Sequence, residues 1–506
     1  LYTEHVEGED EFFYRLLENR ETYFEEHDSK YRRSIVTNVY SQPIDVFDMH
    51  LYPGSAARLH MLRRILGEEE WWEVITLFLR EHRDSVVETV DFARCIEEVT
   101  GDNYDWFFDQ WFYKPGFPVL ECSCEYQEKE KNLIFQVKQN QDPEKGPHTF
   151  RFPLTVRLVG EDGAARDIKV QVEEREHHFY IPAEGEPSMV LVDPEDTILK
   201  RMRWKADSGK LSRQLKQAEN VLKRIEAAAE LSKVGDRDAV TSLEEAMHHD
   251  PFWGVSARAA KGLGEIRTEQ AMQALIGGLK VTHPKARRAV VKALGNFKDE
   301  KAFESLGPLA EKDASYFVEA EAVHAIARTK TEGAFPLVLG ALEKDSFNDI
   351  IRCKGLEGFG GLDDDQALPI LYEYSRYGKP ELVRAQALRT LGKMGKSRPE
   401  NREILEKISD AFQAPEGPRS FRAKLAAIQA LETLNREEGL PILKRVAETE
   451  LDGRLVRNAR LAMRKIERGK DKGEAIQKLE KRLEEFAEES KKLKDRLDKL
   501  EQTKGA

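Results

Sequence analysis

The sequence predicts a mostly α, multidomain protein: a helical N-terminal region, a small antiparallel β-sandwich, an α-solenoid and a C-terminal coiled-coil helix. Three observations carry this. Helical apolar spacing gives way to alternating spacing between about residues 119 and 205, and then returns. A helical motif recurs every thirty-odd residues between Lys210 and Gly469, and a heptad closes the chain. The 506 residues are enough for three or four domains with their own cores.

Residues 1–118 read as helices. Phe12, Phe13, Leu16 and Leu17 repeat at helical spacing, and so do Trp71, Trp72, Ile75, Leu77, Phe78 and Leu79. Tyr52-Pro53-Gly54 opens a helix whose apolar positions are Ala56, Leu59, Met61, Leu62, Ile65 and Leu66, with Pro53 at its first position. Asp91 is expected to cap a helix over 92–99 that Gly101 stops. Tyr104, Trp106, Phe107, Phe108, Trp111 and Phe112 are too apolar to leave in water and should be core, each large side chain contributing about 1.5–3 kcal/mol on burial. Pro115, Gly116 and Pro118 then break the helix.

Residues 119–205 alternate. Five strands are expected around 133–137, 150–158, 168–172, 178–181 and 189–192, in a small sandwich. Cys122 and Cys124 fall on one side of a further strand and read as small packing residues. His177 and His178 are strand neighbours, so they point to opposite faces and make no ligand pair.

From 206 to 469 the stretch Val255–Gly264 recurs as Ala286–Gly295, with further copies at Val318–Ile326 and Val383–Gly392. Degenerate copies surround Phe359, Leu431 and Met463. These resemble HEAT-type hairpins, which cannot bury an apolar face alone and must stack; small Ala and Gly positions let neighbouring helices approach closely. His248-His249-Asp250 lies in an inter-helix turn and reads as solvated rather than as a metal site. Over 470–506, Ile476, Leu479, Leu483, Phe486, Ser490, Leu493, Leu497 and Leu500 keep 3-4 spacing. A coiled coil over 475–502 would join two copies into a homo-oligomer or fold back on the solenoid.

Composition excludes some partners. A net charge of −12 with 34% charged residues gives no global support for nucleic-acid binding, and no run of about 18 apolar residues is present to span a membrane. Four cysteines without a disulfide-like framework point to a reducing compartment, hence a cytoplasmic protein.

The candidate chemistry lies at Tyr52. A phenol beside a helix N-terminus, where unpaired amides carry partial positive charge, could donate a hydrogen bond to a developing oxyanion; the alternative is a half-buried loop tyrosine. Two blocks bear on the choice: IVTNVY…FDMHLYPGSAARLHMLRRILGEEEWW, from Ile35, and GDNYDWFFDQWFYKPGFPVLEC, from Gly101 to Cys122. Together they resemble the gluzincin aminopeptidases of the M1 family downstream of their zinc site. That family has Tyr-x-Lys-Gly-Ala before a helix containing His-Met-Leu-Arg; here the motif is Tyr52-Pro53-Gly54-Ser55, without the Lys and with the Gly displaced. No His-Glu-x-x-His occurs among the twelve histidines, so no metal ligand set is expected within residues 1–506.

The resemblance implies that residues 1–118 are the helical second half of a thermolysin-like catalytic domain, that 119–205 is the family's spacer sandwich, and that the zinc ligands lie upstream of Leu1. It further implies a zinc-dependent aminopeptidase acting on the N-termini of peptides, with Tyr52 as the catalytic donor to the oxyanion; residues 1–506 alone would be inactive. The altered motif and the long solenoid leave a second expectation open, an inactive M1-like scaffold using the solenoid to bind a protein partner. The solenoid is expected either to gate a cleft or to dock a partner, and no residue is assigned to substrate binding.

Overall fold

The computed structural model describes residues 2–144, 146–413 and 420–469. The predicted coiled coil over 475–502 lies outside the described residues. The chain forms two compact units that divide between residues 334 and 335.

The first unit opens with α1 (Tyr2–Val6) and the long α2 (Glu9–Ser29). A loop leads to a π-helical turn, His50–Gly54, which runs directly into α3 (Ser55–Leu66). Then follow α4 (Glu68–Glu81), α5 (Thr89–Thr100) and α6 (Asp105–Trp111). Gly101, at φ 74°, ends α5 as expected. Asp91 is not the cap but the third residue of that helix. Its Oδ2 accepts the Glu88 N–H at 2.8 Å in a reciprocal capping box, which lets the helix begin at Thr89. Phe107, Phe108, Trp111 and Phe112 are core, as their size demanded, whereas Tyr104 and Trp106, expected in the same core, are only partly buried at the start of α6. The Trp111 ring packs at a tilt against Phe150 of the next module, at 4.9 Å, and the Gln110 side chain accepts the Arg151 N–H at 2.9 Å.

That module is a two-sheet sandwich of β1 (Val119–Gln127), β2 (Asn132–Gln139), β3 (Phe152–Val159), β4 (Ala165–Val172), β5 (Glu176–Pro182), β6 (Met189–Val192) and β7 (Arg201–Lys205). One sheet has the order β5-β2-β1-β7 and the other β4-β3-β6. The five expected strands are β2 to β6, and all pairs are antiparallel except β1 with β7. The burial of β3 alternates along its whole length, so one face makes core. Cys122 is fully buried on β1, and burial pushes its thiol up to about 12. His177 Nε2 accepts the N–H groups of Glu173 and Glu174, at 3.1 and 2.9 Å, while His178 is exposed.

Helical hairpins follow: α7 (Ser208–Gln217) with α8 (Val221–Val234), α9 (Arg237–His249) with α10 (Trp253–Ile266), α11 (Glu269–Gly278) with α12 (Pro284–Leu294), and α13 (Glu300–Glu311) with α14 (Tyr316–Thr329). The repeated motif is the second helix of each hairpin, and its glycines sit where helices touch. A Cβ on Gly264 would lie 2.8 Å from Ala293 Cβ, and one on Gly295 the same distance from Ala325 Cα. Two of these hairpins, α7–α8 and α11–α12, also pass a charge to their successors. Arg224 forks onto Asp250 at 2.8 and 3.2 Å, and Arg287 forks onto Asp313 at 3.0 and 2.8 Å. In both, the remaining arginine nitrogen caps two carbonyls of the preceding turn, and the aspartate accepts an N–H two residues on. Asp250 is therefore a paired, shielded carboxylate, not the solvated turn residue expected; only His248 and His249 close α9 beside it.

The second unit repeats the pattern. α15 (Ala334–Gly340) straddles the division and is followed by α16 (Ile350–Leu362), α17 (Ala367–Ser375), α18 (Glu381–Gly395), α19 (Arg402–Ser409), α20 (Phe421–Leu434), α21 (Leu440–Thr449) and a helix over 453–469. Gly392 presses on Ala430, whose Cα would lie 2.6 Å from an added Cβ, and Lys424 pairs with Glu450 at 2.5 Å. The lysine pair has the same separation of 26 residues as the two arginine pairs.

Within the first unit the three modules meet on buried charge. Arg20 of α2 holds Asp196 at 2.6 Å, and Lys200 holds Asp193 at 2.5 Å and Asp196 at 3.4 Å. Lys223 of α8 donates to the Val192 carbonyl at 3.0 Å and lies 3.9 Å from Asp196. Burial alone would push the Asp196 carboxyl up, but Arg20, Lys200 and Lys223 together hold it well below the usual carboxylate range.

Candidate active-site turn

Tyr52 lies inside the π turn, and its side chain is 56% exposed. The expected helix start at Pro53 is not observed. Gly54 N–H bonds to the Met49 carbonyl, five residues back, at 2.9 Å. The wider turn accommodates Pro53, which has no N–H to give and whose ring would crowd the carbonyl of a regular α-turn. The expected unpaired amides are not observed either. Met49 N–H donates to Glu26 Oε2 at 2.7 Å, Leu51 N–H to Asp48 Oδ1 at 2.9 Å, and Tyr52 N–H to the Asp48 carbonyl at 3.3 Å. Two buried carboxylates close this helix start, so the positive end of the dipole does not face the phenol.

Behind the turn is a polar cluster centred on the buried Glu26, Asp48 and His50. Asp48 accepts a two-pronged contact from Arg33, at 2.8 and 2.6 Å, and the Tyr31 hydroxyl at 2.8 Å. His50 has no exposed surface. Its Nδ1 lies 3.5 Å from Glu26 Oε2 and 3.8 Å from Asp48 Oδ2, and its ring stacks on Tyr31 and meets the edge of Tyr23. Burial would raise the Glu26 carboxyl, but the His50 ring, the Met49 N–H and Lys30 outweigh it and hold it down at about 2. His27, next to Glu26, is lowered to about 4 by burial and by the Arg32 charge.

The departure at position 54 has a physical reason. A Cβ on Gly54, where the family pattern has Lys, would lie 3.1 Å from the Tyr23 ring and 3.2 Å from Arg58 Nη1. Arg58 occupies that space, fully buried, donating to the Gly54 carbonyl at 2.9 Å, to the Tyr23 hydroxyl at 2.9 Å and to the Gly116 carbonyl at 2.8 Å. Glu26, Asp48, His50 and Arg58 are not among the residues the sequence singles out. The available signal was charge placed against the pattern, with Asp48 and His50 immediately before the tyrosine and Arg58 on the apolar face of α3.

Among the described residues two groups bring three metal-capable side chains together, Glu26–Asp48–His50 and Glu81–His82–Cys95, each with ligand atoms within 4.8 Å of one another. The first does not fit a zinc ion, because Arg33 already covers both Asp48 oxygens and a cation there would face its guanidinium. The second belongs to α4 and α5, which do not carry Tyr52, and its Cys95 thiol is pushed up by burial and by the Glu81 charge.

The profile of the Peptidase family M1 domain matches residues 1–111, and that of HEAT repeats matches residues 210–282 and 275–353. The chain carries an M1-family peptidase segment followed by HEAT repeats. Curated relatives of the chain include the Tricorn protease-interacting factor F2 of Thermoplasma acidophilum, 26% identical over 170 residues that cover 31% of this chain and 21% of the relative. Aminopeptidase N of Lactococcus lactis is 27% identical over 23% of this chain and 13% of its own length. Glutamyl aminopeptidase of Bitis rhinoceros is 26% identical over 26% and 14%. The matches thus span about a fifth or less of each relative. The crystal structure of Legionella pneumophila aminopeptidase A in complex with aspartic acid shares the fold, with a TM-score of 0.61 at 13% identity, covering 86% of this chain and 59% of that one. No helix among the described residues is long and apolar enough to cross a membrane.

Proposed function

We propose that the M1 segment is part of a zinc-dependent aminopeptidase that removes N-terminal residues from peptides, with its metal ligands in sequence upstream of Leu1 and Tyr52 as its oxyanion donor. The observation that carries this reading is the phenol itself: within the M1-matched residues, Tyr52 stands half exposed on a turn that is otherwise tied to buried groups. Zinc, when bound, supplies Lewis-acid polarisation of the scissile carbonyl. The part assigned to this chain is narrower. The Tyr52 hydroxyl donates a hydrogen bond to the carbonyl oxygen as negative charge develops on it, an interaction stronger in the transition state than in the bound peptide. It acts without help from the helix dipole, since Glu26 and Asp48 cap those amides. The reading treats 1–118, 119–205 and 206–469 as catalytic, spacer and repeat modules, with 470–506 as a tail. The four cysteines, all free thiols, support a cytoplasmic setting.

The test is Tyr52→Phe in the intact native protein. A fall in kcat of about 10²–10³ is expected, with KM and zinc content unchanged. Normal turnover in that variant would sink the assignment.

A second reading, a scaffold that engages a protein partner through the repeats, draws support from exposed aromatic residues at the start of α14, Tyr316 and Phe317, and from a relative named as a protease-interacting factor. Intact protein that binds no zinc and hydrolyses no aminoacyl substrate would favour it.

A further inference from the structure

Tyr52 is 56% exposed, and its ring meets the edge of Phe47 at 4.9 Å, a residue that is itself exposed. The direction of the phenol is therefore set by the backbone that carries it. That backbone is held on both sides. Met49 is tied by its N–H to Glu26, Leu51 by its N–H to Asp48, and Gly54 by its carbonyl to Arg58. His50 is the one side chain of the turn that reaches inward completely, lying between the two carboxylates and packed by Tyr31 and Tyr23. Its Nδ1 stands 3.5 Å from Glu26 Oε2, at the outer limit of a hydrogen bond, and its Nε2 has no hydrogen-bond partner among the described residues, an expensive state for a buried polar group. A group kept there at such a cost, two residues from the phenol, calls for a role that packing alone does not supply.

We propose that His50, with Glu26 and Asp48, is a positioning residue: its Nδ1–H, directed at Glu26, fixes the π turn and so aims the Tyr52 hydroxyl at the reacting carbonyl. This rests on the reading of Tyr52 as oxyanion donor. Arg33 pairs with Asp48 and Lys30 with Glu26. The network has no part in binding substrate, so its loss should appear in turnover and not in affinity.

The test compares His50→Phe, which keeps a ring between Tyr31 and Tyr23 but has no N–H, with His50→Gln, which keeps an N–H donor, both in the intact native protein. His50→Phe is expected to lower kcat about 10–100-fold at unchanged KM and zinc content, the cost of misaiming a reacting group. His50→Gln should recover most of the turnover even if its thermal midpoint is the lower of the two. In a Tyr52→Phe background, His50→Phe should change kcat by less than about twofold, because there is no hydroxyl left to aim. Wild-type kcat in His50→Phe, or an equal loss in both tyrosine backgrounds, overturns the proposal. A wild-type kcat in Tyr52→Phe alone instead overturns the assignment of the tyrosine, so the two failures are told apart.

Discussion

Tyr52 could be picked out from its neighbours in the chain, but its electrostatic setting could not. A proline after the tyrosine argues for a helix start, and a helix start argues for free amides. Both inferences fail here because Glu26, a full helix away, and Asp48 supply acceptors to those amides. Burial also decides the histidines. His27 and His60 are both lowered to about 4, each mainly by burial, and the two ring nitrogens of His60 have no hydrogen-bond partner beside Phe12 and Phe13. A depressed histidine is neutral when folded and takes up its proton on unfolding between pH 6.5 and 4. Stability should therefore be complete above about pH 6.5 and fall as pH drops toward 4, by on the order of 2–3 kcal/mol per histidine. Urea midpoints measured from pH 7.5 to 4.5 check this, and His27→Gln should flatten the slope; a midpoint that rises on acidification would contradict it.

Elements were the most legible scale. The alternation at 133–137 and 168–172 placed β2 and β4, and the Ala/Gly motif placed α10, α12, α14 and α18, because both patterns repeat within one or two turns of chain. The Gly and Ala contacts give those repeats their spacing. Gly295→Val should force α12 and α14 apart, since even a Cβ meets Ala325 at 2.8 Å, and lower the denaturation midpoint by about 1–3 kcal/mol equivalent. The charge ladder has no local signature in the sequence. Arg224 with Asp250 and Arg287 with Asp313 repeat a separation of 26 residues, well outside any local period, and the intervening hairpin lacks the pair. Arg287→Ala leaves Asp313 without its fork and two carbonyls uncapped, and a loss of about 1–3 kcal/mol in chemical denaturation is expected. The same change at Arg213, whose pair with Glu161 is exposed, should stay within about 0.5 kcal/mol.

At the scale of the whole first unit, the M1 segment, the sandwich and the first repeat share one buried ion cluster. Asp196 stands at its centre, 97% shielded at its side chain, and its loss would leave Arg20, Lys200 and Lys223 buried with insufficient counter-charge. Asp196→Ala should cost about 3–5 kcal/mol and expose the joints between the modules to limited proteolysis; unchanged proteolysis would show that apolar contacts alone hold them. Periodicity, turn chemistry and the two matched blocks are local properties, written within a few turns of chain, and the sequence by itself determined from them the helical segment, the sandwich, the solenoid and the peptidase resemblance. Only the tertiary structure decided which charges are shielded from water and by whom: Asp250, Asp196, Glu26 and His50 read as ordinary polar residues until distant chain closes over them, and the energy of a charge depends on that closure far more than on its neighbours in sequence.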